Sequence, residues 1–404
     1  METNYKVYKY RWVILGAIVP IIICTEMFWL ILSPISSMAG EYYKVDSMGI
    51  SLFTASYMIM YILCTIPASW VIDKYGYRYS LIIGALITAI FGILRIAFAD
   101  NFMVVIVFQF IIAIGQPFLL NISTKVPANW FPLYERSIAS GILTMAQYMG
   151  FVVAMILSPI IAGDYGIPGL YKVFGVIGCV CAAVAILFTR EKPPIPSGPE
   201  VIKEDISIRS MMHLFKNKNF GYVLVIAFIS MGIFNTLLTL IENILKPRGM
   251  TMDQAGIVGA AFVVAGVIGA VLLPFLSDKL HKRKPLFVLA ISFMVPLYLG
   301  ITYLTDFTLV TVISALAGFT VMGVAPILFQ HGAEVAYPVK EGTSFGLILL
   351  MGQISGALFV VIFEAVNKVA GTVTVPMLCI VIATAIEIPF TIKMKESEIL
   401  KSRE

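Results

Sequence analysis

Runs of mostly apolar residues recur along the chain, each about the 20 residues that carry a helix across a roughly 30 Å hydrocarbon core. Short polar breaks separate them. They predict twelve transmembrane helices near 11–36, 49–72, 79–99, 102–126, 136–162, 168–189, 219–245, 254–277, 284–304, 308–331, 341–366 and 372–393. The runs are continuous rather than alternating, which excludes the strands of a membrane barrel. The first run follows METNYKVYKYRW and is too long for a cleaved signal peptide, so it reads as a membrane span.

Orientation follows from the loops, because Lys and Arg concentrate on the cytoplasmic side. With the N-terminus inside, 21 of the 28 Lys and Arg fall in cytoplasmic positions and five outside (Lys44, Lys172, Lys246, Arg248 and Lys368). Arg95 and Lys125 lie within spans. Both termini are therefore expected in the cytoplasm. The longest polar stretch opens REKPPIPSGPE, which is linker chemistry. It divides the chain into an N-terminal six-helix bundle, 1–190, a cytoplasmic linker, 191–218, and a C-terminal six-helix bundle, 219–404.

Composition agrees with a chain solvated largely by lipid. It is 59% hydrophobic and 13% charged, with a mean hydropathy of +0.94, against roughly half apolar and a quarter charged in soluble domains. The five cysteines all sit in apolar runs, and Cys179 and Cys181 do not form a CxxC pair. No Walker loop, metal cluster or nucleophile–base arrangement stands in the sequence. Neither an ATP-driven pump nor an enzyme has support, and no cofactor or nucleic-acid partner is expected.

The two halves repeat each other. Ser69-Trp-Val-Ile-Asp73-Lys74-Tyr-Gly76-Tyr-Arg78, after span two, is echoed 205 positions on by Pro274-Phe-Leu-Ser-Asp278-Lys279-Leu-His281-Lys-Arg283. Trp130-Phe131-Pro132-Leu-Tyr-Glu135-Arg136-Ser137, after span four, is echoed by Ala336-Tyr337-Pro338-Val-Lys-Glu341-Gly342-Thr343, and Gln147 and Gly150 by Gln353 and Gly356. Parallel six-helix repeats with a site near the midplane between them are a transporter architecture.

The first loop resembles the major facilitator signature G-x3-D-[RK]-x-G-x-[RK], with Ser69 in place of the first Gly and His281 degrading the second copy. The resemblance implies an all-α membrane fold of two pseudo-symmetric halves that alternates access. Within that superfamily, Gln116–Glu135, the segment Glu334–Leu347 with its Tyr-Pro-x-x-Glu-Gly-Thr-Ser-x-Gly-Leu core, and span one up to Trp29 resemble the feline leukaemia virus subgroup C receptor family. That family implies facilitated transport of choline, ethanolamine and related solutes, with haem and vitamin-type substrates also assigned. It implies that Trp29 meets a quaternary ammonium and that Gln147 and Gln353 line the same pocket. Asn235 stands where family members place a Tyr, and Glu26 where they usually have a neutral residue.

Ionisable and amide groups inside a membrane are costly, so each is a functional candidate. Glu26 lies roughly 22 Å along span one from Arg11, at about 1.5 Å per residue, with Trp29 one turn on. An acid beside an indole can hold an ammonium by charge and cation–π attraction; an acid removed from water can also load a proton, or simply serve as a neutral structural group. Gln147, Gln353, Asn235 and Asn121 are the amide candidates, against interhelical hydrogen-bond glue. Asp73, Lys74, Arg78, Asp278, Lys279 and Arg136 are gating candidates. Lys125 and His331 share the repeat register and are expected to meet Glu135, Glu334 or Glu341 at an inner gate. Arg95 is expected to reach outward towards Asp100, and Glu242, Glu364 and Glu387 to lie near solvated span ends.

The reading is a secondary transporter of a small cationic or zwitterionic amine, by facilitated diffusion or proton coupling, monomeric, in the plasma membrane. An organic-anion or drug exporter, or a non-transporting receptor on the same scaffold, stays open.

Overall fold

The computed structural model describes residues 5–197, 214, 217–280, 283–336 and 341–396, with the side chains of 133, 278 and 341–343 outside that description. Among these residues the structure is helical: α1 (Tyr10–Trp29), α2 (Ser36–Tyr43), α3 (Ser47–Tyr75), α4 (Tyr77–Ala97), α5 (Phe102–Leu120), α6 (Lys125–Trp130), α7 (Arg136–Phe188), α8 (Lys218–Thr239), α9 (Ile241–Leu245), α10 (Met252–Leu280), α11 (Lys284–Tyr303), α12 (Phe307–Ala336), α13 (Glu341–Ala370) and α14 (Thr374–Lys393). Three of the helix starts carry a polar side-chain cap. Asp46 accepts from the Gly49 N–H ahead of α3, and Asn101 and Asn217 do the same ahead of α5 and α8.

Among the described residues, eleven helices or helix groups are long and apolar enough to span a membrane. One of them, α7, runs for 53 residues, and a continuous helix of that length would be about 80 Å long. It is broken at Gly166, whose φ of 68° only glycine adopts easily. The break makes two crossings, 136–165 and 167–188, so the eleven supply twelve. Large apolar side chains such as Leu63, Ile66, Phe275 and Leu289 point outward with more than half their surface exposed, as a lipid-facing surface requires.

The chain forms two compact units, Met1–Ile202 and Lys203–Glu404. The predicted linker, 191–218, lies mostly outside the described residues. In the first unit α1 packs on α7, α3 on α5, and α4 on both α5 and α7. In the second, α8 packs on α13, α10 on α12, and α11 on α12 and α14. The pairing repeats in order, which is what a duplicated bundle should show. Lipid offers no hydrophobic drive between helices, so small residues permit contact. The tightest case is Gly318 on α12, where an added Cβ would stand 1.9 Å from the Phe262 carbonyl oxygen of α10.

Candidate functional site

Glu26 sits on α1 with 1% of its surface exposed. Its Oε1 accepts a hydrogen bond of 2.9 Å from Gln116 Nε2 of α5. Its Oε2 has no partner among the described residues. Gly150 of α7 lets this part of α1 be approached closely, since a Cβ there would stand 2.5 Å from the Ile23 carbonyl oxygen and 2.6 Å from Glu26 Cβ. The hydroxyls of Tyr57 and Tyr61 on α3 and Tyr148 on α7 lie within electrostatic range of the carboxyl. Trp29, one turn on, is stacked on Tyr57 at 6.0 Å and meets Phe151 edge-on at 5.3 Å. Its indole N–H donates to the Thr54 carbonyl at 3.0 Å, which fixes the ring. The result is a carboxylate with one oxygen tied and one open, beside aromatic faces. Such a set can receive a proton, or an ammonium by charge and cation–π attraction.

The amides are placed unequally. Gln147 is half-buried on α7, one turn before Gly150, and no described group bonds it. Asn121 is consumed by α3: Tyr61 donates to its Oδ1 at 3.2 Å, while its Nδ2 donates to Thr65 and to Ser69 Oγ. That is a helix tie rather than an open ligand. In the second unit, Asn235 of α8 donates weakly to the Gly352 carbonyl of α13 at 3.4 Å, and Gln353 beside it is half-buried.

At the loop before α4, Gly76 has φ 93°, and a Cβ there would stand 2.4 Å from the Glu191 carboxyl. The glycine of the signature is thus required twice, for its backbone and for that approach. Glu191 accepts from the Tyr77 N–H at 3.2 Å and the Arg78 N–H at 2.8 Å, capping α4. Glu396 treats α11 in the same way, accepting from the Arg283 and Lys284 N–H groups at 2.9 and 3.2 Å. Asp73 is exposed and makes no ion pair among the described residues, and Lys74 lies over the Trp70 and Tyr75 rings at 4.7 and 5.2 Å. Lys279 is exposed, and the side chains of Asp278 and Glu341 lie outside the described residues.

Of the three carboxylates expected to meet Lys125 and His331 at an inner gate, Glu341 has its side chain outside the described residues, and Glu135 and Glu334 pair with arginines. Glu135 pairs with Arg11 of α1 through contacts of 2.8 and 3.2 Å. Glu334 pairs with Arg283 at 2.7 Å. His331 is fully buried, edge-on to Phe287 at 6.0 Å, with neither nitrogen partnered among the described residues. Arg136 donates to the Phe131 carbonyl. Arg11 forks onto both Glu135 oxygens, whereas Arg283 reaches Glu334 Oε1 through Nη2 alone.

The sequence model of the Major Facilitator Superfamily matches residues 18–360. The chain belongs to that superfamily. This major facilitator protein is 26% identical over 91% of its length to solute carrier family 49 member A3 of Xenopus tropicalis, covering 80% of that protein. It is 24% identical over 88% of its length to the human choline/ethanolamine transporter FLVCR2, covering 72% of it. In fold it resembles a bacterial homologue of the human lysosomal transporter Spinster, crystallised inward-facing and unoccupied, with a TM-score of 0.80 and 18% identity over 96% of this chain and 98% of the other. The protein is accordingly a multi-pass membrane transporter for a small molecule, similar in sequence to solute carrier family 49 member A3 and to choline/ethanolamine transporters.

Two expectations for this major facilitator chain are corrected. Arg95 does not reach outward to Asp100. It is completely buried and donates to Gln109 Oε1, while Asp100 receives the Tyr42 hydroxyl. Glu387 is not solvated near a span end. It is completely buried, accepting 2.7 Å from Ser230 Oγ, and Glu242 and Glu364 are only 3% and 4% exposed. Depth along a helix does not by itself set solvation, because neighbouring helices exclude water close to the span ends. Gln116, Gln109, Tyr57 and Tyr61 escaped notice as well. A polar residue in an otherwise apolar run, as Gln116 is, was the signal available.

Proposed function

We propose that this transporter carries a small cationic or zwitterionic amine, choline- or ethanolamine-like, across the plasma membrane by alternating access, as a monomer with both termini cytoplasmic. The observation that carries the reading is the Glu26 carboxylate, buried, tied by Gln116 on one oxygen and open on the other, one turn from the Trp29 indole. Burial gives a charge there its value, because water no longer screens it. A quaternary or primary ammonium is the cargo that both groups attract. Relatives named as choline/ethanolamine transporters, at 24–27% identity, support the same class. Gln147 is the neighbouring amide suited to a cargo hydroxyl, and Gln353 and Asn235 are the candidates of the second unit.

The test is uptake of radiolabelled choline and ethanolamine into proteoliposomes, with and without an imposed pH gradient, for wild type and Glu26→Gln. Direct cation binding predicts weaker affinity in the variant at every pH. Proton coupling predicts loss of uphill accumulation with downhill flux kept. Identical behaviour of the two proteins in both conditions would remove Glu26 from the mechanism.

A further inference from the structure

Arg95 lies in the last turn of α4 and is completely buried. A guanidinium presents five N–H donors and cannot be relieved of its charge by deprotonation. Here one nitrogen, Nη2, donates to Gln109 Oε1, while Nε and Nη1 meet no acceptor among the described residues. Phe28, Phe53 and Tyr171 surround the group, with ring centroids 5.3, 5.4 and 5.1 Å from Cζ. Rings and the α4 carbonyl end attract the charge. Neither fills the in-plane N–H directions, and a buried ion left uncompensated is costly.

No carboxylate pairs with Arg95 among the described residues. Asp100 is exposed and takes the Tyr42 hydroxyl. Glu26 is held by Gln116, seven positions along α5 from the Gln109 that holds Arg95, or on the order of 10 Å along that helix. Tyr57 on α3, one turn from the Phe53 ring that contacts Arg95, is completely buried and within electrostatic range of both Arg95 and Glu26. Its hydroxyl and that of Thr25 interact with each other, and neither meets a further partner of good geometry among the described residues. Arg95 Nε and Nη1 are therefore unmet donors on one unneutralised cation, and the Tyr57 and Thr25 hydroxyls lie one turn along α3 and α1 from the Phe53 and Phe28 rings that contact it. Water could satisfy the hydrogen bonds, but only an anion also compensates the charge.

We propose that Arg95, with the hydroxyls of Tyr57 and Thr25, forms a binding site for a small monovalent anion of chloride size inside the N-terminal half. The site is linked to Glu26 by charge. When a proton or a cationic group neutralises Glu26, the half holds a bare positive charge and the anion binds more tightly; by reciprocity the anion favours that neutralisation. The site is independent of what the cargo is, and its test uses no cargo.

The experiment is thermal unfolding of the purified full-length protein, titrating sodium chloride against sodium gluconate at constant ionic strength. Stabilisation by a bound ligand follows the logarithm of its concentration over its dissociation constant. A chloride-specific rise in Tm with a definite half-point is expected for wild type. Tyr57→Phe keeps the ring on Trp29 but removes one donor to an ion, so the half-point should move to roughly tenfold higher chloride. Glu26→Gln should move it lower, and Arg95→Lys should abolish the rise. If Arg95→Lys does not fold, Tyr57→Phe and Glu26→Gln still decide. Identical melting in chloride and gluconate would mean that water alone fills the site and overturns the proposal. A chloride response unchanged in Tyr57→Phe would place the anion elsewhere and overturn it equally.

Discussion

Glu191 and Glu396 stand 205 positions apart and make the same structure, each closing its two carboxylate oxygens over two successive backbone N–H groups at the start of a spanning helix. One caps α4 from the end of the first unit's last span, the other α11 from the end of the second's. The spacing equals that between the two signature loops, so the duplication preserved the partner along with the motif. A carboxylate is favoured there twice, by the unsatisfied N–H groups and by the positive end of the helix.

Glu191→Ala should therefore lower stability by about 1–2 kcal/mol, the range of a lost helix cap. Gly76→Ala should cost at least as much, since its φ of 93° strains any side chain and its Cβ would displace the same carboxyl. Melting of the two variants in detergent checks both, and an unchanged Tm for either would make the cap incidental.

Gly318→Ala is expected to force α12 away from α10, because the Phe262 carbonyl lies where the methyl would go. Overpacking of this kind costs about 1–3 kcal/mol. The readout is Tm alongside the folded fraction in size-exclusion chromatography. Wild-type values would show that the two helices separate without strain.

Removing either partner of the Arg283–Glu334 pair should cost about 3 kcal/mol or more, because the remaining charge stays buried. Their side chains are only 7% and 9% exposed. Arg283→Met combined with Glu334→Leu should recover part of the loss. A double-mutant cycle measures this, and simple additivity of the two single losses would contradict it.

Asp73→Asn is expected to slow transport severalfold while leaving cargo binding and expression close to wild type. Asp73 is exposed and unpaired here, so its charge is free to serve a different arrangement of the helices. Turnover equal to wild type would end its assignment to the gate.

Much of the architecture was legible beforehand. Twelve spans, the duplication and the signature loop follow from apolar run length and from spacing, which act along one dimension. Glu26 and Trp29 were legible as candidates for the same reason: both are visibly deep in one span and one turn apart. Arg95, read as reaching for the nearest acid in sequence, shows where that reasoning stops. Its acceptor is Gln109 on the next helix, and Asp100, five residues away, serves Tyr42 instead.

Sequence alone determined how many times the chain crosses, where it turns and that its halves are copies, because a lipid core imposes length and apolarity on each segment independently. Tertiary structure decided which buried polar groups are satisfied and which are not. Glu26 meets Gln116 across 90 positions, Glu387 meets Ser230 across 157, and Glu191 reaches Tyr77 across 114. Helical periodicity tells which face a residue occupies, but only the packing of neighbouring helices sets what that face touches. In a solvent that cannot hydrogen-bond, what a polar side chain touches decides whether it serves as a tie, a gate or an open site.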